Sequence, residues 1–203
     1  MPLVWVTGNS GAGKSAVCAL LKSRGEHAVD ADGEGYNHWV DRTSGRVVTH
    51  PPDPVPAGWL DRFGWRTSRT AVEVLAAKAH DKIVFFCGST ENDGELRDLF
   101  DLVVCLVVDN TTLRDRLLTR TSNSFGKHPE ELAAALEANA GAESAYRRLG
   151  ATIVIDGRLP LPDVADAILA ARPSPKRTEP VRARPPGRSR SPRAAGPPTP
   201  PRP

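Results

Sequence analysis

The sequence contains few of the residues that stabilise or anchor specialised classes of protein. It has three cysteines among 203 residues, and Cys18, Cys87 and Cys105 lie far apart. Their number and spacing exclude a disulfide framework or a cysteine-based zinc site. No stretch approaches the roughly 18 uninterrupted apolar residues that a membrane-spanning helix needs. The first residues lack a basic segment, so 3–7 is interpreted as a strand rather than a signal peptide, and a cytoplasmic protein is expected.

Charge and proline are distributed unevenly along the chain. Of 27 basic and 24 acidic residues, nine basic and one acidic lie in 172–203, with 11 of the 19 prolines. Residues 1–171 therefore hold 18 basic and 23 acidic side chains, a net charge of −5, against +8 in the tail. Because the part able to fold is mildly acidic, a folded nucleic-acid-binding domain is not favoured. The tail has little apolar surface to bury and is predicted to be disordered. A weak polyanion-binding arm is the alternative, supported by charge alone.

Residues 1–171 alternate short apolar runs with helical patterns, which predicts one α/β domain with a mostly parallel sheet. Strands are predicted at 3–7, 27–30, 83–87, 102–108 and 152–155. Helices are predicted at 14–24, 68–79, 110–118, 129–149 and 161–171. Residues 41–66 contain four closely spaced prolines and are predicted to be irregular.

A motif between the first strand and the first helix indicates a phosphate ligand. Residues 8–15 fit the pattern G-x-x-x-x-G-K-[ST] at every defined position. Its glycines let successive backbone N–H groups turn inward, and the helix adds its positive N-terminal end. Lys14 would place its charge on the β- and γ-phosphates of ATP, and the Ser15 hydroxyl would ligate Mg²⁺. The predicted nucleotide-binding residues are Gly8, Asn9, Ser10, Gly11, Ala12, Gly13, Lys14 and Ser15.

Two carboxylates, in Asp30-Ala31-Asp32, follow the second predicted strand. If that strand lies beside the first, ligands bind off its carboxyl end, and alternate residues of an extended segment face the same way. One carboxylate would then hold Mg²⁺ and the other would orient an acceptor hydroxyl. We expect Asp30 to bind the metal and Asp32 to be catalytic, although which lies closer to the metal is open. A surface turn rich in acids and glycine is the alternative interpretation.

Together these features resemble the small P-loop kinases, a group that includes shikimate, gluconate, dephospho-coenzyme A and nucleoside monophosphate kinases. The resemblance covers about 1–171 and rests on 8–15, Asp30-Ala31-Asp32, the strand and helix at 100–120, and the strand ending at 155–157. It implies a five-stranded parallel sheet with helices on both faces and the strand before the phosphate loop in the middle. It also implies ATP- and Mg²⁺-dependent phosphoryl transfer to a small-molecule acceptor.

The resemblance also implies a mobile lid and catalytic arginines. Arg116 and Arg120, four residues apart on one predicted helix, match the family's arginines that neutralise the transferring phosphoryl group. The lid is expected at about 121–128, with Gly126 as its hinge. A solvated basic face is the alternative interpretation of the arginines. The predicted catalytic residues are Lys14, Asp32, Arg116 and Arg120.

One feature departs from the family's pattern. The third predicted core strand ends in Cys87 without a carboxylate, and acids follow only at Glu91 and Asp93. Metal ligation would therefore fall on Ser15 and the aspartate pair, or reach Asp93 through water.

The acceptor-binding lobe is expected at about 36–66, the most aromatic part of the chain. Aromatic faces suit a planar base or a sugar, and nearby arginines suit an anion, so a nucleoside or nucleoside monophosphate is the expected acceptor. The aromatic residues are Tyr36, Trp39, Trp59, Phe63 and Trp65, and the arginines are Arg62 and Arg66. Packing of a loop-rich lobe explains the rings equally well.

Two other functions remain open from the sequence. The first is a nucleotide-dependent regulatory ATPase whose basic tail recruits an anionic partner. The second is modification of an antibiotic or other natural product, which the same residues would serve.

Overall fold

Seven strands occur among residues 2–53, 55–79, 82–150 and 153–173, which the computed structural model describes. In chain order they are β1 (Leu3–Thr7), β2 (His27–Asp30), β3 (Asn37–Asp41), β4 (Phe63–Thr67), β5 (Val84–Cys87), β6 (Leu102–Val107) and β7 (Ile153–Asp156). Five of them form a parallel sheet in the order β2-β5-β1-β6-β7. The predicted sheet and its central first strand are confirmed.

Eight α-helices connect or flank these strands in the described part of the chain. They are α1 (Lys14–Ser23), α2 (Trp59–Arg62), α3 (Arg69–Lys78), α4 (Asp93–Leu96), α5 (Asn110–Thr119), α6 (Pro129–Ala140), α7 (Ala142–Arg148) and α8 (Leu161–Ala171). None of the described helices is long and apolar enough to cross a bilayer.

Helices cover both faces of the sheet, as predicted, because each strand is apolar on both sides. On one face, Leu21 of α1 and Ile168 of α8 are fully buried in a cluster with Val4. On the other, Val72 of α3 packs in a second cluster with Trp5. The odd and even residues of β1 thus anchor the two helical layers.

The second strand does not lie beside the first, which corrects the premise used for the aspartate pair. β5 lies between them and pairs with both, so that Cys87 is the register partner of Val6 and of Asp30. Because all three strands are parallel, their carboxyl ends still meet at one edge of the sheet. The phosphate loop and Asp30-Ala31-Asp32 both leave from that edge.

The prediction that 41–66 is irregular is wrong at its end. β3 and β4 form a separate antiparallel sheet in which Trp39 pairs with Trp65. The two strands are joined by a long insertion that includes α2, so the short turn that marks most hairpins is missing from the sequence.

The predicted helix at 129–149 is two helices, α6 and α7, which meet at Gly141. The prediction that 172–203 is disordered, with its alternative of a polyanion-binding arm, falls almost entirely outside the described residues, which end at 173.

Candidate active site

The loop between β1 and α1 has the backbone of an anion cradle. Gly8, Gly11 and Gly13 have φ values of +142°, +89° and +111°, a region that L side chains rarely adopt. No side chain caps α1, whose first residue follows Gly13. The backbone N–H groups of its first turn are therefore left to face the cleft, together with the positive end of the helix.

Gly8 is also required by a close approach of two strands. A Cβ atom on Gly8 would lie 2.4 Å from the carbonyl oxygen of Leu106, in the neighbouring strand. We expect Gly8→Ala to destabilise the fold strongly, since backbone of β6 would have to move. Gly35→Ala is the matched control, because Gly35 has a φ of +75° but no atom within 4 Å of the added Cβ.

The control change should cost only the positive-φ penalty of about 1–2 kcal/mol. Urea denaturation of the two variants measures the difference in unfolding free energy. Equal losses would show that β6 does not constrain the loop.

Lys14 is buried in the floor of this loop. Its Nζ donates to the carbonyl oxygens of Gly8, at 2.7 Å, and Asn9, at 2.9 Å. Burial, assisted by the nearby cation of Arg120, lowers the pKa of Lys14 to about 8 against the attraction of Asp32. Two carbonyl oxygens replace water only in part, so the ammonium group is poised to gain from an anionic ligand.

Asp32 lies in the cleft with one oxygen held by two donors. Asn37 Nδ2 donates to Asp32 Oδ1 at 2.6 Å, and Trp65 Nε1 donates to the same oxygen at 3.0 Å. The Thr67 hydroxyl donates to Asn37 Oδ1, which fixes the direction of the amide. Both bonds fall on Oδ1, so Oδ2 is left to accept a hydrogen bond from a ligand.

Asp30 has a different environment. Its Oδ1 accepts from the backbone N–H groups of Asp32 and Gly33 at 3.2 and 3.3 Å, which stabilises the turn after β2. A Cβ on Gly88 would lie 2.4 Å from the Cβ of Ala31, so this turn packs directly on the end of β5. Asp30 therefore shapes the loop that presents Asp32, and its predicted metal role stays a prediction.

Arg116 of α5 and Arg120, just after the end of this helix, both line the cleft but face different parts of it. Arg116 donates to carbonyl oxygens of the phosphate loop, Gly11 and Ala12, at 3.3 Å, and to Gly157 at 2.9 Å. Arg120 donates to Ser10 Oγ at 3.1 Å.

The Arg120 side chain is incompletely paired in the described part of the chain. Its Nε is buried there without a hydrogen-bond partner. Burial lowers the pKa of Arg120, while the charges of Asp32 and Glu131 raise it. A buried, unsatisfied guanidinium N–H costs free energy that an anion bound in the cleft would recover.

The predicted lid segment is anchored at its centre. Arg120 Nη2 donates to the Phe125 carbonyl at 2.6 Å, and Gly126 N donates to the buried Glu131 carboxylate at 2.8 Å. Gly126 has a φ of +86°, and a Cβ there would lie 3.1 Å from Leu117. Gly126 is thus a close-packed turn residue, which differs from the open hinge suggested by the sequence.

These residues surround one cleft of about 500 Å³. Its lining brings together the phosphate loop, Arg116, Arg120 and Asp32, the aspartate predicted from the sequence to be catalytic. The side chains and loops named above that line it are Ser10–Ser15, Asp32, Arg116, Arg120 and Gly157. Gly8, Asn9 and Asp30 support this lining without forming part of it.

Two residues that the sequence analysis passed over complete the site together with Trp65. Asn37 and Trp65 hold Asp32, and Glu131 holds the lid turn. Glu131 carried a usable signal, since it follows Pro129 at the start of a helix where acids interact with free N–H groups. Asn37 carried none, and Trp65 was expected only as part of the acceptor lobe, because their contacts with Asp32 depend on β3 pairing with β4.

The aromatic residues of the acceptor lobe divide into two groups. Trp59 stacks on Phe63 with ring centroids 4.0 Å apart, and Trp39 packs edge-on against Trp59 and Trp65 at 5.8 and 5.2 Å. Tyr36 instead packs against a phenylalanine of β5 in the core. The rings pack the lobe, and Trp65 also bonds to Asp32, whereas binding of an acceptor by these rings stays a prediction.

Oxygen ligands for a magnesium–nucleotide complex lie at the cleft. Three or more His, Cys, Asp or Glu side chains do not gather into a metal site anywhere in the described residues. Ser15 and Asp32 both line the cleft, and hydroxyl and carboxylate oxygens suit Mg²⁺, which keeps water and phosphate oxygens as its other ligands. Ser15 and Asp32 therefore suit a magnesium ion that binds together with the phosphate groups of a nucleotide.

Solved structures of small kinases share this architecture. A shikimate kinase from Acinetobacter baumannii, in complex with shikimate, aligns with a TM-score of 0.54 and 19% identity over 83% of this chain and 91% of that one. The chain has the small P-loop kinase fold. A sugar kinase from Janibacter sp. HTCC2649 aligns with this fold at a TM-score of 0.51 and 18% identity, over 84% and 93% of the chains.

A third similar structure of the P-loop kinase fold is TT1252 from Thermus thermophilus, with a TM-score of 0.52 and 20% identity over 83% and 96% of the chains. Comparison of the sequence with protein-family models and with curated proteins gives no match. The similar structures therefore establish the fold of this chain and leave its reaction open.

Proposed function

We propose that this protein is a kinase that transfers the γ-phosphoryl group of ATP to a hydroxyl of a small molecule, with Mg²⁺. The proposal rests on one cleft, which is shared by the phosphate loop before the uncapped helix α1 and by the carboxylate of Asp32. In the described structure the hydrogen bonds to Asp32 fall on Oδ1, which leaves Oδ2 for a ligand. An anion site alone would suit a binding protein. A positioned proton acceptor beside it suits phosphoryl transfer to a hydroxyl.

The phosphate loop would hold the triphosphate through backbone N–H groups at 11–16, with Lys14 moving from the loop carbonyls to the β- and γ-phosphates. Ser15, with Asp30 or Asp32, would hold the magnesium ion. When bound, Mg²⁺ neutralises charge on the phosphate oxygens.

Asp32 and Arg120 would act on the transfer itself. Asp32 Oδ2 accepts the hydrogen of the acceptor hydroxyl while that oxygen forms its bond to the γ-phosphorus and the bond to the ADP oxygen breaks. Arg120, which lines the cleft, would stabilise the charge on the moving group. Arg116, bound to loop carbonyls, would mainly hold the cradle and assist from its nucleotide side.

The solved structures of similar fold support a small-molecule acceptor, because they include a shikimate kinase and a sugar kinase. The regulatory ATPase has less support, since the similar structures named above include no such protein. The acceptor lobe at about 36–66 and the lid at about 121–128 remain our proposal for the division of residues 1–171.

The direct test measures ATP binding by calorimetry with Mg²⁺, then ADP release across nucleosides, sugars and shikimate-like acids. We expect binding of ATP without an acceptor, and ADP release that rises at least tenfold with one acceptor. Absence of ATP binding would overturn the proposal. Slow ADP release that no acceptor changes would favour a regulatory ATPase.

Triphosphate affinity should fall as the pH rises through about 8. The free protein holds Lys14 with a pKa of about 8, below its ordinary 10.5, whereas a bound triphosphate favours the charged form and raises that pKa again. Binding above pH 8 must then take up a proton, which weakens affinity by up to about tenfold per pH unit.

Calorimetry at several pH values, in buffers of different ionisation enthalpy, measures both the affinity and the proton uptake. Lys14→Ala is the matched control and should lose the uptake centred near pH 8. An affinity that stays constant from pH 7.5 to 9.5 would contradict the role of Lys14.

A further inference from the structure

Resting on the kinase function proposed above, we infer that the acceptor is an uncharged molecule that presents its reactive hydroxyl on a flat, largely apolar ring. The inference comes from the juxtaposition of Asp32 with the tryptophans of the β3–β4 hairpin, and from the pairing of nearby arginines with carboxylates. The sequence suggested a nucleoside or a nucleoside monophosphate as the acceptor, and this inference narrows the choice to uncharged molecules.

The β3–β4 hairpin separates its aromatic side chains from its arginine. Register partners of an antiparallel pair share a face, so Trp39 and Trp65 lie on the same face as Asn37 and Thr67. This is the face whose indole and amide groups donate to Asp32. His38 and Arg66 are partners on the opposite face. A ligand bonded to Asp32 would therefore lie beside the indole of Trp65, against which Trp39 packs.

Arg66, on the opposite face, forms ion pairs with acidic residues. Arg66 Nη2 donates to both oxygens of Glu95, at 2.6 and 2.7 Å, and Arg66 Nη1 lies 3.9 Å from Glu91 Oε1. Arg42 donates to Glu91 through Nε and Nη2, at 3.2 and 2.7 Å. A Cβ on Gly64 would fall 1.6 Å from Glu91 Oε1, so this carboxylate packs directly on the strand.

The remaining arginines of the lobe lie at the other end of the hairpin. Arg62 donates to Asp41 through Nε and Nη2, at 2.9 and 2.8 Å. Arg46, in the turn after β3, has an exposed side chain. Asp41 is four residues along β3 from Asn37, a span of about 13 Å. Among the described arginines of the lobe, a carboxylate or phosphate on a small acceptor held at Asp32 would thus find none nearby without breaking an ion pair.

The charge at the reacting end also disfavours an anionic acceptor. Asp30 and Asp32 both act on Lys14 electrostatically. In the complex, the cations of Lys14 and Arg120 would be taken up by the triphosphate. An acceptor phosphate beside Asp32 would then meet like charge, which is strongly unfavourable in a partly buried site. A neutral hydroxyl meets a hydrogen-bond acceptor instead.

The test uses pairs in which one member is uncharged and the other carries a phosphate or a carboxylate: a nucleoside and its 5′-monophosphate, and shikimate methyl ester and shikimate. ADP release with ATP and Mg²⁺ is measured for each compound. We expect the uncharged member of a phosphorylated pair to have a kcat/KM at least tenfold higher. Quenching of tryptophan fluorescence measures binding without turnover, since three of the tryptophans lie in this lobe.

Two variants locate the specificity. Trp39→Ala should raise the acceptor KM about fivefold or more, because stacking on one ring contributes about 1–3 kcal/mol, and Trp39→Phe should restore most of it. Trp39 makes no hydrogen bond to Asp32 in the described structure, so kcat should change little. Arg66→Gln is the matched control and should change the acceptor KM by less than about twofold.

The outcomes separate this inference from the proposed function. Preference for the anionic member, or a tenfold rise in KM in Arg66→Gln, would overturn the inference while the kinase function stands. ATP binding with neither member of any pair bound or phosphorylated would also overturn it. Failure to bind ATP at all would overturn the proposed function.

Discussion

Lys14→Ala should reduce phosphoryl transfer by at least about 10²–10³-fold, the range found when one preorganised charge-stabilising group is removed. The ammonium group is the cation nearest the floor of the phosphate loop, where its Nζ already contacts the Gly8 and Asn9 carbonyls. Removing it also removes the cost of burying a charge. The unfolding free energy should therefore hold or rise while activity is lost.

Steady-state kinetics and urea denaturation measure the two effects in parallel. Lys78→Ala is the matched control, because Lys78 is exposed in the last turn of α3. Loss of stability and activity together in Lys14→Ala, with normal behaviour in the control, would indicate that Lys14 supports the loop rather than the reaction.

Asp32→Asn should lower kcat by about 10²-fold or more, the contribution expected of a positioned proton acceptor. The substitution keeps the size of the side chain, and its Oδ1 still accepts from Asn37 and Trp65. The lost charge lies beside Lys14 and Arg120, so ATP affinity should be unchanged or slightly higher. The effect therefore separates transfer from nucleotide binding.

Single-turnover phosphoryl transfer and ATP calorimetry on Asp32→Asn distinguish these quantities. The control is Asp115→Asn, an exposed aspartate of α5. If transfer and ATP affinity fell by the same factor, Asp32 would have a structural or metal-binding role.

The sequence predicted the phosphate loop in full because its information is local. Eight consecutive residues contain the glycines, the lysine and the hydroxyl, and the loop needs only the strand before it and the helix after it. The parallel sheet was predictable for a similar reason, since strands such as 84–87 are apolar on both faces. Gly141 gave no comparable signal, because a single glycine inside a helical pattern is often tolerated.

The acceptor side depended on distant partners and was predicted only as a region. Whether Asp32 lies in a turn or in a cleft is decided by Asn37 and Trp65, which reach it through a hairpin closed by a long insertion. The arginines show the same limit. Their number in the lobe suggested an anionic acceptor, whereas their ion pairs with Asp41, Glu91 and Glu95 do not.

In the described part of the chain, the hairpin forms no strand pairing with the main sheet and is joined to its loops by side-chain bonds and a few backbone bonds, such as that from Glu91 N–H to the Trp65 carbonyl at 2.9 Å. The Thr67 N–H donates to the Asn92 amide oxygen at 3.0 Å, and Asn92 Nδ2 donates back to the Thr67 carbonyl at 3.2 Å. Evolution can therefore exchange the outer part of this module for another without repacking the scaffold that handles the nucleotide. Diversification of substrate range would then proceed by local replacement, at little risk to folding.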